Sequence, residues 1–142
     1  MEKTLPLIRK SDENLQSADV LIQNKKYTSS VHCSYYSCYQ MVMVLTKRPE
    51  VSYNTNETRY NSHEQTINTL ITFLESVSYD TDKINSITEN LRLLRKERNK
   101  ADYKRHFFNE KQAKEIYICA QSTQKMLKDC LNNLDNINDN AQ

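Results

Sequence analysis

Arg98 and Asp102 stand where a helical stripe of apolar residues would continue. Ile84, Ile87, Leu91 and Leu94 recur at three- and four-residue steps, and the next two steps of four fall on Arg98 and Asp102. On a helix turning about 100° per residue, both charges share the face that the leucines bury. A charge on an inward face must be paired, or must line a cleft or an interface, because an isolated buried ion is too costly to keep. Residues 92–105 hold seven cations (Arg92, Arg95, Lys96, Arg98, Lys100, Lys104 and Arg105) against Glu97 and Asp102, so the excess positive charge of the chain is concentrated here.

Two chemistries fit this stretch. One is a solvated helix face carrying a single internal Arg98–Asp102 pair at i, i+4. The other is a phosphate-facing site. Arginine presents a planar fork of donors that matches phosphate oxygens. Asn99 adds a neutral donor and acceptor beside Arg98, Asp102 orients the guanidinium, and Arg95, Lys96 and Lys100 supply neighbouring charge. Tyr103 would stack on a base or donate to a phosphate.

The elements that must position these residues read as helices. Residues 6–23 form the first, with Pro6 in its opening turn and a stripe of Ile8, Leu15, Ala18, Leu21 and Ile22. Asn24 is the expected left-handed stop. The second begins at Tyr27 and ends before Pro49. Its stripe of Tyr27, Val31, Tyr35, Cys38, Val42 and Leu45 is broadened by Tyr36, Tyr39, Met41 and Met43, which predicts a central, buried helix. Residues 51–61 read as a polar surface loop.

The third helix opens at Ser62 with Gln65 in capping-box spacing, followed by His63, Ile67, Leu70, Ile71 and Leu74. The fourth opens near Asp80 or Asp82 and runs to about Tyr103. Phe107 and Phe108 mark a corner, and Asn109 with Gln112 forms another N-cap. The fifth carries Ala113, Ile116, Tyr117, Ala120, Gln124, Leu127, Leu131 and Leu134. Residues 135–142 form a polar tail expected to fray. No stretch alternates as a strand would. The expected fold is all-α: one domain over residues 1–134, an up-and-down bundle of four long helices and one shorter one.

Composition excludes several classes. With 142 residues, a net charge of +2 and no glycine, the chain has neither the field of a general nucleic-acid binder nor the residues of a P-loop or Rossmann turn. Asparagine is expected to take the left-handed positions instead. The four cysteines, Cys33, Cys38, Cys119 and Cys130, form no Cys-x-x-Cys pair and fit helix patterns as reduced core thiols. No metal site or cofactor is expected. No apolar run approaches the ~20 residues of a membrane span, and a reducing cytoplasm is the expected compartment.

Tyr35-Tyr36 in the second helix, Ser62-His63 opening the third, and Arg98-x-x-Ala101-Asp102-Tyr103 closing the fourth resemble the HEPN domain family, in order and spacing, over roughly residues 6–134. The resemblance implies a small helical bundle, often a homodimer. Nuclease members are metal-independent ribonucleases of toxin–antitoxin, phage-defence and RNA-processing systems, with two copies forming a shared cleft. Many bacterial members pair with a small nucleotidyltransferase antitoxin, and others bind nucleotides without cutting RNA. Carried over, Arg98 is the motif arginine and Asn99 the polar residue after it. The motif histidine does not carry over. Tyr103 stands in its place, five residues after Arg98, and His106 comes eight after it, outside the motif window.

Cleavage by 2′-hydroxyl attack needs a group that exchanges protons near neutral pH. A histidine, of ordinary pKa ~6.5, suits this better than a tyrosine, of ordinary pKa ~10. His106 would serve if the fourth helix continued past Asp102, and is otherwise a corner histidine. His63 reads as a packing and hydrogen-bonding residue, and His32 has no partner visible from sequence. Tyr35 and Tyr36 read as core aromatics whose hydroxyls find internal partners, with Tyr36 counted among the binding residues. Three functions are open: a toxin-like protein that engages and cleaves RNA, a non-catalytic module binding a nucleotide or a nucleotidyltransferase, and a purely structural helical dimer.

Overall fold

The computed structural model describes residues 4–53 and 62–141 and consists of five helices: α1 (Leu5–Gln23), α2 (Tyr27–Thr46), α3 (Ser62–Ser76), α4 (Thr81–Tyr103) and α5 (Glu110–Ala141). The fold is an all-α bundle, with α3 the shortest helix at 15 residues. There is no strand among the described residues. None of the described helices is long and apolar enough to cross a membrane. Most of the expected 51–61 loop, residues 54–61, lies outside the described residues.

α2 is the axis of the bundle and packs against all four other helices. Twelve of its 20 residues are buried, so it has almost no solvated face. The core joins Val31, Tyr35, Val42 and Leu45 of α2 to Leu70 and Leu74 of α3, Ile87, Leu91 and Leu94 of α4, and Leu127 of α5. Full burial of each such side chain contributes roughly 1.5–3 kcal/mol.

The helix ends follow local chemistry. Asp80 caps α4 by accepting from the Lys83 backbone N–H at 3.0 Å. Asn109 and Gln112 cap α5 reciprocally: the Gln112 backbone N–H donates to Asn109 Oδ1 at 2.8 Å, and the Asn109 N–H donates to Gln112 Oε1 at 3.0 Å.

The left-handed positions are a correction. They belong to Lys25 (φ 60°) and Ser78 (φ 57°), while Asn24 has φ −96°. Both α1 and α3 close in Schellman motifs, with Lys26 N bonding Leu21 O and Tyr79 N bonding Leu74 O. The residue one before each closing N–H must turn left-handed, whatever its type. Asn24 falls one position too early and donates its amide to Val20 O instead.

The end of α5 is a second difference. The helix runs to Ala141, through the segment expected to fray. No glycine or proline interrupts it, and Arg48 at the end of α2 pairs with Asp135 and ties the polar turn to the bundle.

Candidate nucleic-acid interface

α2 and α4 meet in two rungs. Tyr36 contacts Arg98 and, one turn earlier on α2, His32 contacts Asp102, one turn later on α4. The opposite order makes the two helices antiparallel neighbours. A four-residue step on each keeps both rungs on one face.

Arg98 is 8% exposed, so the stripe does carry it inward. One terminal nitrogen, Nη2, donates to the Tyr36 hydroxyl at 2.6 Å, and Nη1 donates to Asn99 Oδ1 at 2.9 Å. Nε lies 3.2 Å from Asp102 Oδ2, but its N–H is not directed at that oxygen and has no hydrogen-bond partner. The rings of Tyr35, Tyr36 and Tyr103 surround the guanidinium at 5.2–5.4 Å. Burial disfavours the charge, but the Tyr36 hydroxyl and the neighbouring tyrosines more than offset it and hold the Arg98 pKa above its ordinary value.

Behind Arg98 stands a second polar layer. His63 of α3 stacks on Tyr39 with ring centroids 4.0 Å apart, and its Nδ1 is 2.7 Å from the Tyr35 hydroxyl. Burial, with Arg98 and Arg95 nearby, pushes the His63 pKa down to about 4. Burial also pushes the Tyr35 pKa up. A neutral imidazole therefore accepts from a protonated phenol. The packing role expected of His63 agrees with this geometry.

In front lies a cleft of about 480 Å³ between α3 and α4. Arg92, Arg95, Lys96, Lys100 and Lys104 line it with Asn99, and Glu64 of α3 is its carboxylate. Arg95 is 3.7 Å from Glu64, a loose pair, and its buried Nε has no hydrogen-bond partner. Lys100 turns partly to Glu97, at 3.4 Å. Asn99 joins the two parts of the site, because it lines the cleft and accepts from Arg98. A surface of this kind can hold anions, since spaced cations match the repeating phosphates of a nucleic acid strand.

The remaining expected site residues separate. Tyr103 is 71% exposed and covers the outer side of Arg98. α4 ends at Tyr103, as the sequence pattern suggests, and the chain is already extended at Lys104, which makes His106 a corner histidine. His106 therefore does not fall one turn beyond Asp102. It packs edge-on against Phe108, at 4.6 Å, and lines a groove with residues of α5. His32, for which the sequence suggests no partner, has one in the fold. Its Nδ1 is 2.7 Å from Asp102 Oδ2, the same oxygen that faces Arg98, and its ring lies 4.6 Å from that of Tyr36. The one local signal for this is the i, i+4 placement of His32 and Tyr36 on a single face of α2.

The four cysteines are free, and Cys38 donates to the Ala120 carbonyl at 3.2 Å. Burial pushes the Cys33 thiol up, with Asp102 adding to the effect, so it is a poor nucleophile. Among the described residues, no three His, Cys, Asp or Glu side chains gather as a metal site requires. No family model matches this chain, and no curated protein does.

Proposed function

We propose that this protein is a HEPN-type RNA-engaging protein, the toxin-like half of a toxin–antitoxin or defence pair. In this reading it acts as a homodimer beside a nucleotidyltransferase antitoxin. RNA lies in the α3–α4 cleft, whose Asn99 accepts from the buried Arg98. The observation that carries the reading is the single cationic wall of Arg92, Arg95, Lys96, Lys100 and Lys104, joined through Asn99 to a buried arginine. The motifs behind the resemblance support it as well. Tyr35, Tyr36, His63, Arg98 and Asp102 come from three helices and form one connected cluster.

The experiment is binding of a fluorescent single-stranded RNA at low and moderate salt, with Arg98→Ala and Lys96→Gln beside the wild type. The expected result is salt-dependent binding that both substitutions weaken. Absence of binding at low salt, or binding indifferent to both substitutions, overturns the reading.

One observation favours a second reading. Tyr36, Asn99 and Asp102 approach all three nitrogens of Arg98 from within the chain. A guanidinium so surrounded suits a module that holds a nucleotide or a nucleotidyltransferase without cleaving RNA. A rise in melting temperature with mononucleotides, and none with RNA, would select it.

A further inference from the structure

His32 and Asp102 form a pair with the geometry of a proton-transfer dyad. The Nδ1–H donates to Asp102 Oδ2 at 2.7 Å. That bond fixes the tautomer and leaves Nε2 with an available lone pair. The His32 side chain is 47% exposed, so a substrate atom can reach it. The same carboxylate oxygen lies 3.2 Å from Arg98 Nε. One oxygen therefore sets an imidazole beside a guanidinium. A groove of about 340 Å³, lined by Ser29, His32, Cys33 and Asp102, opens at this end of the cluster, while the cationic cleft opens at the Asn99 end.

We infer that His32, oriented by Asp102, is the proton acceptor of an RNA cleavage site, supplying from α2 the histidine that α4 lacks. The inference rests on the RNA-engaging reading above. In this reading a strand leaving the cationic cleft past Asn99 brings a phosphate over the Arg98 end of the cluster and the adjoining ribose to the His32 groove. His32 Nε2 takes the proton of the 2′-hydroxyl, the 2′-oxygen bonds to the neighbouring phosphorus, and the P–O5′ bond breaks. The 5′-oxygen leaves with a proton from water, and the imidazolium returns its proton to solvent. The products are a 2′,3′-cyclic phosphate and a 5′-hydroxyl. Arg98 offsets the charge that builds on the phosphoryl oxygens. Tyr103, over the outer side of the guanidinium, offers a base a ring to stack on.

The test uses the full chain with a labelled single-stranded oligoribonucleotide and its all-deoxy counterpart. The wild type is expected to cut only the RNA, leaving a 2′,3′-cyclic phosphate identified by mass. His32→Ala and His32→Gln are expected to lose about 100-fold or more in rate, with RNA affinity within about twofold of the wild type. Glutamine keeps a donor for Asp102 but exchanges no proton, so it separates chemistry from support of the fold. Added imidazole should restore part of the activity of His32→Ala and none of that of Arg98→Ala. Binding without cleavage by the wild type, or His32→Gln cutting at the wild-type rate, overturns the role of His32 and leaves the RNA-engaging reading standing. Absence of RNA binding overturns that reading itself.

Discussion

Two polar residues interrupt apolar stripes in this bundle, Gln124 on α5 and Arg98 on α4, and they end in opposite situations. Gln124 is buried and donates to Ser11 Oγ at 2.9 Å and to Asp12 Oδ1 at 3.0 Å, while the Ser11 hydroxyl donates to the Ser37 carbonyl. Those dipoles close on one another between α1, α2 and α5, and the Asp12–Lys128 pair finishes the network at the surface. Arg98 is about equally buried but carries a charge. Its network ends in an undirected Nε–H, an exposed imidazole and a cationic cleft. A buried polar group whose neighbours satisfy it completely fixes packing. The neighbours of Arg98 lead outward instead, to the charged surface on which the proposed function rests.

Substitution at the two positions should break the comparison most sharply. Arg98→Met leaves the Asp102 carboxylate and the Tyr36 hydroxyl without their cation, and should cost about 3 kcal/mol in urea unfolding. Gln124→Leu leaves the Ser11 and Asp12 acceptors short of one donor, and should cost about 1–3 kcal/mol. Only the Arg98 variant should lose RNA binding. Equal loss of binding in both would mean that the effect is one of stability and that the two nodes do not differ in kind.

Next in size is an effect on one side of the comparison alone. Lys96→Gln with Lys104→Gln removes two cations from the cleft wall. The slope of log affinity against log salt should fall by about 0.7 for each phosphate that is no longer neutralised. For two phosphates this amounts to roughly 70-fold weaker RNA binding at ~50 mM salt, relative to a ~1 M reference. Lys125→Gln, on α5 and 3.5 Å from Asp129, is the matching control and should change neither slope nor affinity. If the control weakens binding as much, the α3–α4 cleft is not the interface.

The Arg98 node should also respond to acid in a way that the Gln124 node does not. The folded pKa of His63 is held down to about 4, by burial first and then by Arg98 and Arg95. Its ordinary value is ~6.5, so between these limits the unfolded chain binds more protons than the folded one. This contribution to stability is complete above pH ~6.5 and drains away as the pH falls towards ~4. Allowing for the solvent that reaches the ring, its size is about 1–2 kcal/mol. His63→Phe keeps the stack on Tyr39 and should flatten the pH dependence of urea unfolding over that window. An unchanged slope would show that another group is responsible.

Arg98 was legible in the sequence because periodicity is local: a few residues at steps of three and four are enough to place a charge on a buried face. The caps at Asp80 and Asn109 were legible for the same reason. The partner of His32 was not, because it lies 70 residues away and only the packing of α2 against α4 joins them. The closure of His63 on Tyr35 and Tyr39 likewise needs α3 against α2. The corner at His106 was legible because Phe107-Phe108 and the Asn109 cap are local, and the extended backbone at Lys104 agrees with it. The cations of residues 92–105 were visible at once, but which of them share a wall depends on where α3 lies.

The smallest expected effect concerns the frame that both nodes share. Lys25 and Ser78 adopt a left-handed backbone, which crowds Cβ against the neighbouring carbonyl. Glycine has no such clash, although it loses more chain entropy on folding. Lys25→Gly and Ser78→Gly should each stabilise the protein by about 0.5–1 kcal/mol. That corresponds to about 2–4 °C in melting temperature for a chain of this size. Lys25 ends α1 just before α2 begins, close in sequence to His32, whereas Ser78 lies in the turn between α3 and α4. If stiffening the frame is all that matters, both variants leave RNA binding and cleavage unchanged. A loss confined to Lys25→Gly would show that the α1–α2 corner, as well as Asp102, sets the position of His32.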